Sequence, residues 1–165
     1  MRYQVLGPRE AARLEDELLA LWRRAFAEPP YGGEGAEFSS VRTCFRRHLE
    51  NPGFRLVLAR VPRGLVGFAY GFFLEEGGLW AAELARVLGA EALRGAFGLG
   101  ELAVDPAFRG QGVGARLHDR LLAGVEARLF VLTVHRRAPA LGFYLRRGWR
   151  PAGQLFRAPY LVLVR

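Results

Sequence analysis

The periodicities of this chain predict one α/β domain over residues 1–165, a mixed sheet flanked by helices in the order α-α-β-β-α-β-α-β-α-β. Three observations carry that reading. Apolar residues recur at helical spacing in several segments, short β-rich runs lie between them, and a glycine-rich strand-to-helix junction follows the middle of the chain.

Residues Pro8 to Phe26 are expected as the first helix, since Leu14, Leu18, Leu21, Trp22 and Ala25 share one face and Glu10, Glu15 and Glu17 stand near its start. Pro29 and Pro30 stop it, the stretch Glu28 to Glu37 is too rich in Gly and Pro to be regular, and Ser39 or Ser40 can cap a second helix to about Glu50. Phe54 to Val61 and Gly64 to Leu74 are β-rich runs around Pro62-Arg63, the pattern of an antiparallel hairpin. Glu75 to Phe97 returns to helical spacing through Leu79, Trp80, Leu84, Val87 and Leu88, and Leu99 to Asp105 follows as a strand. Gly112 to Arg128 is the strongest helix, with Val113, Leu117, Leu121, Leu122 and Val125 on one stripe. Leu129 to Val134 reads as a buried strand, Pro139 to Arg147 as a helix ending at Gly148, and Tyr160 to Val164 as a terminal strand.

Composition narrows the function. Hydrophobic residues at 51% and charged residues at 24% suit a soluble globular domain, and no apolar run reaches the ~18–20 residues of a membrane span. The first residues lack a secretory h-region and Cys44 is the single cysteine, so a cytoplasmic chain without a disulfide is expected. Cys44 is expected as buried packing in the second helix, not a nucleophile. The net charge of +8 invites a nucleic-acid partner, but all 24 basic residues are Arg, Lys and Ile are absent and Asn occurs once, which is the mark of a GC-rich codon bias. The arginines are scattered from Arg2 to Arg165 with no recognition motif, so nucleic acid is not expected as the main partner. His48, His118 and His135 show no ligand spacing, and no metal is expected.

Arg109-Gly110-Gln111-Gly112-Val113-Gly114 sets three alternating glycines between a strand and the strongest helix, where backbone amides can converge on an anion that also feels the helix dipole. A diphosphate fits such a cradle. The dinucleotide fingerprint needs an acidic residue about 20 positions on, where this chain has His135, and a P-loop needs a Lys. The segment resembles motif A of the general N-acetyltransferase (GNAT) superfamily, [QR]-x-x-G-x-[GA], through Arg109, Gly112 and Gly114, preceded by Glu101-Leu-Ala-Val-Asp-Pro106. Leu141-Gly-Phe-Tyr144-Leu-Arg-Arg-Gly148-Trp149 is similar to that family's second motif. The resemblance covers the chain except a helical insertion at about residues 75–97.

The resemblance implies a splayed sheet that takes acetyl-CoA as co-substrate between its fourth strand and Leu129 to Val134, with the backbone of Leu102, Ala103 and Val104 along the pantetheine arm and the amides of Arg109 to Gly114 on the pyrophosphate. It implies Tyr144 as the acid that protonates the departing thiolate. Glu101, on the cleft-forming strand, is the first candidate base for the attacking amine, with a structural carboxylate the competing reading and His135 the competing base. Arg137 stands where many members carry an Asn that touches the cofactor, so charge can replace that contact. Acceptor choice in the family comes from the first interhelical loop and the insertion, which here carry Tyr31, Glu34 and Trp80 among several acidic residues, a set suited to a cationic amine. Homodimers are common in the family. The alternatives are a non-catalytic acyl-CoA-binding module of the same fold, or a basic-surface protein associated with RNA.

Overall fold

The computed structural model describes residues 1–32, 35–74, 78–156 and 159–165. Its elements are β1 (Arg2–Leu6), α1 (Pro8–Ala12), α2 (Glu15–Ala25), α3 (Gly35–His48), β2 (Arg55–Val61), β3 (Gly64–Phe73), α4 (Leu79–Leu88), β4 (Ala96–Val104), α5 (Val113–Leu122), β5 (Leu129–His135), α6 (Pro139–Leu145), β6 (Arg150–Gln154) and β7 (Tyr160–Val164). The strands form a mostly antiparallel sheet in the order β1-β2-β3-β4-β5-β7-β6, with β4 and β5 parallel through Ala96–Gly98 and Leu129–Val131. The expected α/β class and helix-strand alternation hold.

Several boundaries differ for identifiable reasons. Strand β1 lies outside the expected order: five residues are too short a run for Arg-Tyr-Gln-Val-Leu to declare itself, and its place comes from antiparallel pairing with β2 from Arg2↔Arg60 to Leu6↔Leu56. The single helix expected from Pro8 to Phe26 breaks at Arg13 and Leu14, which lets Ala11 be buried in one piece and Leu18, Leu19, Leu21 and Ala25 in the next. Helix α3 begins at Gly35, so Ser39 and Ser40 lie inside it and not at its N-terminus. The helix expected over residues 75–97 is confined to α4 and a 3-10 turn at Glu91–Leu93, and β4 starts at Ala96 because Ala96, Phe97 and Leu99 are core residues. Strand β6 was also missed. Its Arg-Pro-Ala-Gly-Gln has no apolar periodicity and stands at a sheet edge, where a proline is tolerated.

The chain divides into two compact units, residues 1–72 with 100–125, and residues 73–99 with 126–165. In the first, β3 alternates large and small side chains: Phe68 and Tyr70 turn to the aromatic residues Phe45 and Phe54, while Gly67 turns to α5. A Cβ at Gly67 would stand 2.9 Å from Leu117 Cδ1 and 3.2 Å from Val113 Cγ1, so the absence of a side chain sets how closely α5 can lie on the sheet. In the second unit, Leu84 of α4 joins Leu93, Ala96, Val131 and Val162 in a buried cluster.

Gly67→Ala is therefore expected to overpack the junction of β3 and α5 and to cost about 1–3 kcal/mol, read as a lower urea midpoint at unchanged m-value. A midpoint within error of wild type would show that α5 can shift without loss.

Candidate active site

The end of β4 leads through a turn at Pro106–Phe108 into α5, and the connecting residues are shaped for an anion. Asp105 opens the turn, its Oδ1 accepting from the amide of Ala107 at 3.1 Å. Gly110 and Gly112 adopt the left-handed region at φ 74° and 77°, and nothing lies within 4 Å of where a Cβ would stand on either. The first intrahelical bond of α5 runs from the amide of Arg116 to the carbonyl of Gly112 at 3.1 Å. The preceding amides of Gly112, Val113, Gly114 and Ala115 thus have no partner within the helix, and they converge where the dipole of α5 is positive. This is the arrangement a diphosphate needs, and the residues present fit it.

Arg109 serves the loop from the other side. Its guanidinium donates to the carbonyl of Ala25 at the C-terminus of α2 and lies 3.4 Å from Glu28 Oε2. Beside it, Arg24 Nε donates to Asp105 Oδ2 at 3.0 Å. Gln111 is tied locally, its Nε2 donating to the carbonyl of Ala107 at 3.1 Å. The side chains of Arg109 and Gln111 therefore hold the loop's shape and leave its backbone to meet the ligand.

Further back on β4, Glu101 accepts through Oε2 from Trp22 Nε1 at 2.7 Å. Glu101 lines a small cavity whose other walls include Leu18, Phe45, Phe68 and Tyr70. Loss of water in this apolar surround pushes its carboxyl up to about 7, against the opposing pull of the indole N–H. Such a group can take a proton near neutral pH. In the sequence Trp22 is one residue of a helix stripe, and no local signal assigns it to a carboxyl 79 positions away. Tyr31 is brought into the same neighbourhood: its ring meets Phe26 edge-on at 4.9 Å, and Phe26 lies 5.0 Å from Trp22. Leu102 and Val104 are half-buried and Ala103 buried on β4.

In the second unit, Tyr144 of α6 is 6% exposed, its ring 6.0 Å from that of Trp149. The turn after α6 folds back on it, with the amides of Arg147 and Trp149 donating to the Tyr144 carbonyl. Arg137 is exposed in the turn between β5 and α6. His135 Nδ1 accepts the amide of Arg137 at 3.1 Å, which gives this histidine a turn-forming role. Trp80 lies over Gly98 of β4, a Cβ there standing 2.5 Å from its ring, and it packs on the cluster around Leu84. Glu34 lies outside the described residues. Cys44 is exposed, not buried as expected, because the apolar face of α3 that packs inward is carried by its neighbour Phe45. Among the described residues no helix is long and apolar enough to cross a membrane, and no group of three or more His, Cys, Asp or Glu could hold a metal ion.

An amide cradle at a helix N-terminus is suited to an anion, and a carboxyl of raised pKa on the preceding strand can exchange a proton near neutral pH. The chain belongs to the acetyltransferase (GNAT) domain family, whose model matches residues 27–165. The fold is shared with the PaiA N-acetyltransferase of Thermoplasma acidophilum in complex with coenzyme A, at 13% identity over 100% of this chain and 99% of that one, TM-score 0.64. It is shared too with a histone acetyltransferase HPA2 and related acetyltransferase from Corynebacterium glutamicum, at 21% identity over 99% and 96% of the two chains, TM-score 0.64. Aminoglycoside 6'-acetyltransferase type Ii is similar at 20% identity over 100% and 96%, TM-score 0.65. No curated protein matches the sequence significantly.

The raised carboxyl of Glu101 has a thermodynamic signature. Below its ordinary value of 4.5 the group is protonated in folded and unfolded chains alike; as pH rises through about 7 it must ionise in the apolar cavity, and stability present at low pH is lost. Glu101→Gln is expected to flatten the decline of the thermal midpoint between those limits, and Trp22→Phe, which removes a donor to the charged form, to move the titration above 7. Parallel curves for wild type and Glu101→Gln would mean that this carboxyl ionises at its ordinary value.

Proposed function

We propose that this protein is an acetyl-CoA-dependent N-acetyltransferase that moves an acetyl group directly to a primary amine. The observation that carries the reading is the left-handed pair Gly110 and Gly112 at the start of α5, with open space where their side chains would stand beside amides that have no partner within the helix. In this reading the amides from Gly110 to Gly114 hold the pyrophosphate, that of Arg109, expected among them, being bonded to the Pro106 carbonyl at 3.3 Å; the backbone of Leu102, Ala103 and Val104 runs along the pantetheine arm, and Arg137 adds positive charge toward a phosphate. The bound carrier supplies a thioester, whose carbonyl the amine attacks.

Primary amines have pKa near ~10 and arrive mostly as ammonium ions at neutral pH. Glu101 takes that proton, and the cavity that raises its carboxyl to about 7 brings it close to the working pH, where a base is most effective. Trp22 positions the carboxyl through the 2.7 Å bond. Tyr144 delivers a proton to the departing thiolate, a phenol of pKa near ~10 being able to donate to a thiolate of parent pKa near ~8.5. Tyr31, with Phe26 and Trp22 behind it, offers an aromatic face to a cationic acceptor, and Glu34 and Trp80 complete the acceptor set proposed from the sequence. The one cysteine is a free thiol, which suits a reducing cytoplasm.

Calorimetric titration with acetyl-CoA, with NAD as the control, tests the cradle: micromolar binding of the first alone is expected, and Gly112→Ala, strained at φ 77°, should weaken it by about tenfold or more. Failure of folded wild-type protein to bind acetyl-CoA would overturn the proposal. In thiol-release assays over a panel of primary amines, Tyr144→Phe is expected to lower kcat by about 100-fold with KM for acetyl-CoA unchanged. Full turnover by that variant, with chemistry rate-limiting, would remove Tyr144 from the mechanism.

A further inference from the structure

Two titratable side chains of the first unit, Tyr70 on β3 and His48 at the end of α3, take no part in the chemistry above, yet they are hydrogen-bonded to each other. Tyr70 Oη and His48 Nδ1 lie 3.1 Å apart. Tyr70 is 3% exposed, whereas His48 is half-buried, its ring 4.5 Å from that of Phe72. Desolvation holds His48 down to about 4, so at neutral pH it is an uncharged imidazole with one nitrogen able to accept a proton. Burial, and then the charge of Glu101, push the Tyr70 phenol well up, with Cys44 on the exposed side of α3 adding to it, so the phenol stays protonated and can pass a proton only by receiving another.

Tyr70 and Glu101 also line the same small cavity. A Cβ on Gly100 would stand 2.5 Å from Tyr70 Cε2, so the ring can lie beside Glu101 only because the preceding residue has no side chain. Most of the remaining wall is hydrocarbon, from Leu18, Val41 and Phe68 among others, so a water in the cavity would find its polar partners in the carboxyl and the phenol. A base that has taken a proton from an ammonium ion must lose it before the next turnover. The carboxyl shares its cavity with side chains of α2, α3 and β3, and among them the Tyr70 phenol with its His48 partner is the pair able to carry a proton away.

We propose that Glu101, one water, Tyr70 and His48 form the route by which that proton leaves. The inference rests on Glu101 acting as the base. The carboxyl O–H breaks as its proton passes to the water, the water gives a proton to Tyr70 Oη, the phenol gives its own to His48 Nδ1, and His48 Nε2–H yields a proton to solvent or buffer. Carboxylate, water and phenol are restored, one proton has left, and the imidazole has changed tautomer, which exchange with solvent resets. Tyr70 and His48 are relay residues; they touch neither substrate.

The test is steady-state thiol release by wild type, Tyr70→Phe and His48→Ala, in weak buffer and with added imidazole. Both variants are expected to lose kcat by about tenfold or more at unchanged KM for acetyl-CoA, with imidazole restoring His48→Ala in proportion to its concentration and leaving Tyr70→Phe unaffected. Tyr70→Phe removes only a hydroxyl, and His48→Gln, which keeps a hydrogen-bonding side chain but cannot relay, should show the same loss if His48→Ala does not fold. Wild-type turnover in Tyr70→Phe, or a folded His48→Ala whose lost activity imidazole does not restore, would overturn the relay while leaving the acetyltransferase reading intact. Absence of thiol release by wild type across the amine panel would instead sink the acetyltransferase reading, and the relay with it.

Discussion

The C-terminal half of α2 is the constraint on which the first unit's chemistry depends. Within four residues it presents Trp22, whose indole holds Glu101, Arg24, which pairs with Asp105 at the mouth of the glycine loop, and the carbonyl of Ala25, which accepts from Arg109. The last of these is a terminal helix carbonyl without an intrahelical donor, and a guanidinium there complements the negative end of the dipole. One helix end thereby fixes both a strand carboxyl and the loop that opens α5. A displacement of α2 would disturb the proposed base and the proposed cradle together.

The two faces of β3 explain why that carboxyl is unusual. Large aromatic side chains at Phe68 and Tyr70 fill the face that meets Phe45 and Phe54, and Glu101 of β4 ends among them. The surround that makes a good core makes a poor solvent for charge, so the ionised form is disfavoured and the carboxyl rises to about 7. The single donor at Trp22 offsets part of that cost without cancelling it. The fold accepts a stability penalty above neutral pH to keep one side chain near the working pH, a pattern common to sites that move protons.

The parts legible in the sequence were those with local signatures. The alternating glycines announced the cradle because left-handed turns and amide convergence are written in adjacent residues, and the stripe from Val113 to Leu121 announced α5 because 3.6-residue spacing is local too. The strand singles out Glu101, and the motif Tyr144, as candidates whose roles are proposals. What stayed hidden depended on distant partners. Strand β1 is defined by its register with β2, β6 by its place beside β7, and Trp22 by a bond spanning 79 positions. Cys44 was misplaced for the same reason, since helical spacing fixes which residues share a face but not which face turns inward.

Part of the arginine excess, which at first suggests a polyanionic partner, is taken up within the fold. Arg60 meets Glu17 through two bonds of 2.6 Å, Arg46 meets Glu15 through bonds of 2.8 and 2.9 Å, and Arg42 spans Glu15 and Asp16. Arg55 donates to the carbonyls of Arg120 and Ala123 and so closes the end of α5. Each of these uses two nitrogens of a planar fork in fixed geometry, which the single ammonium of lysine cannot reproduce. The same property explains Arg109, which reaches Ala25 and Glu28 at once while its own amide closes the turn onto the Pro106 carbonyl. Carrying its basic charge on arginine alone thus has a structural consequence: several side chains that lysine would leave as a diffuse basic surface become ties between elements, and the loop proposed to bind phosphate is held by one of them.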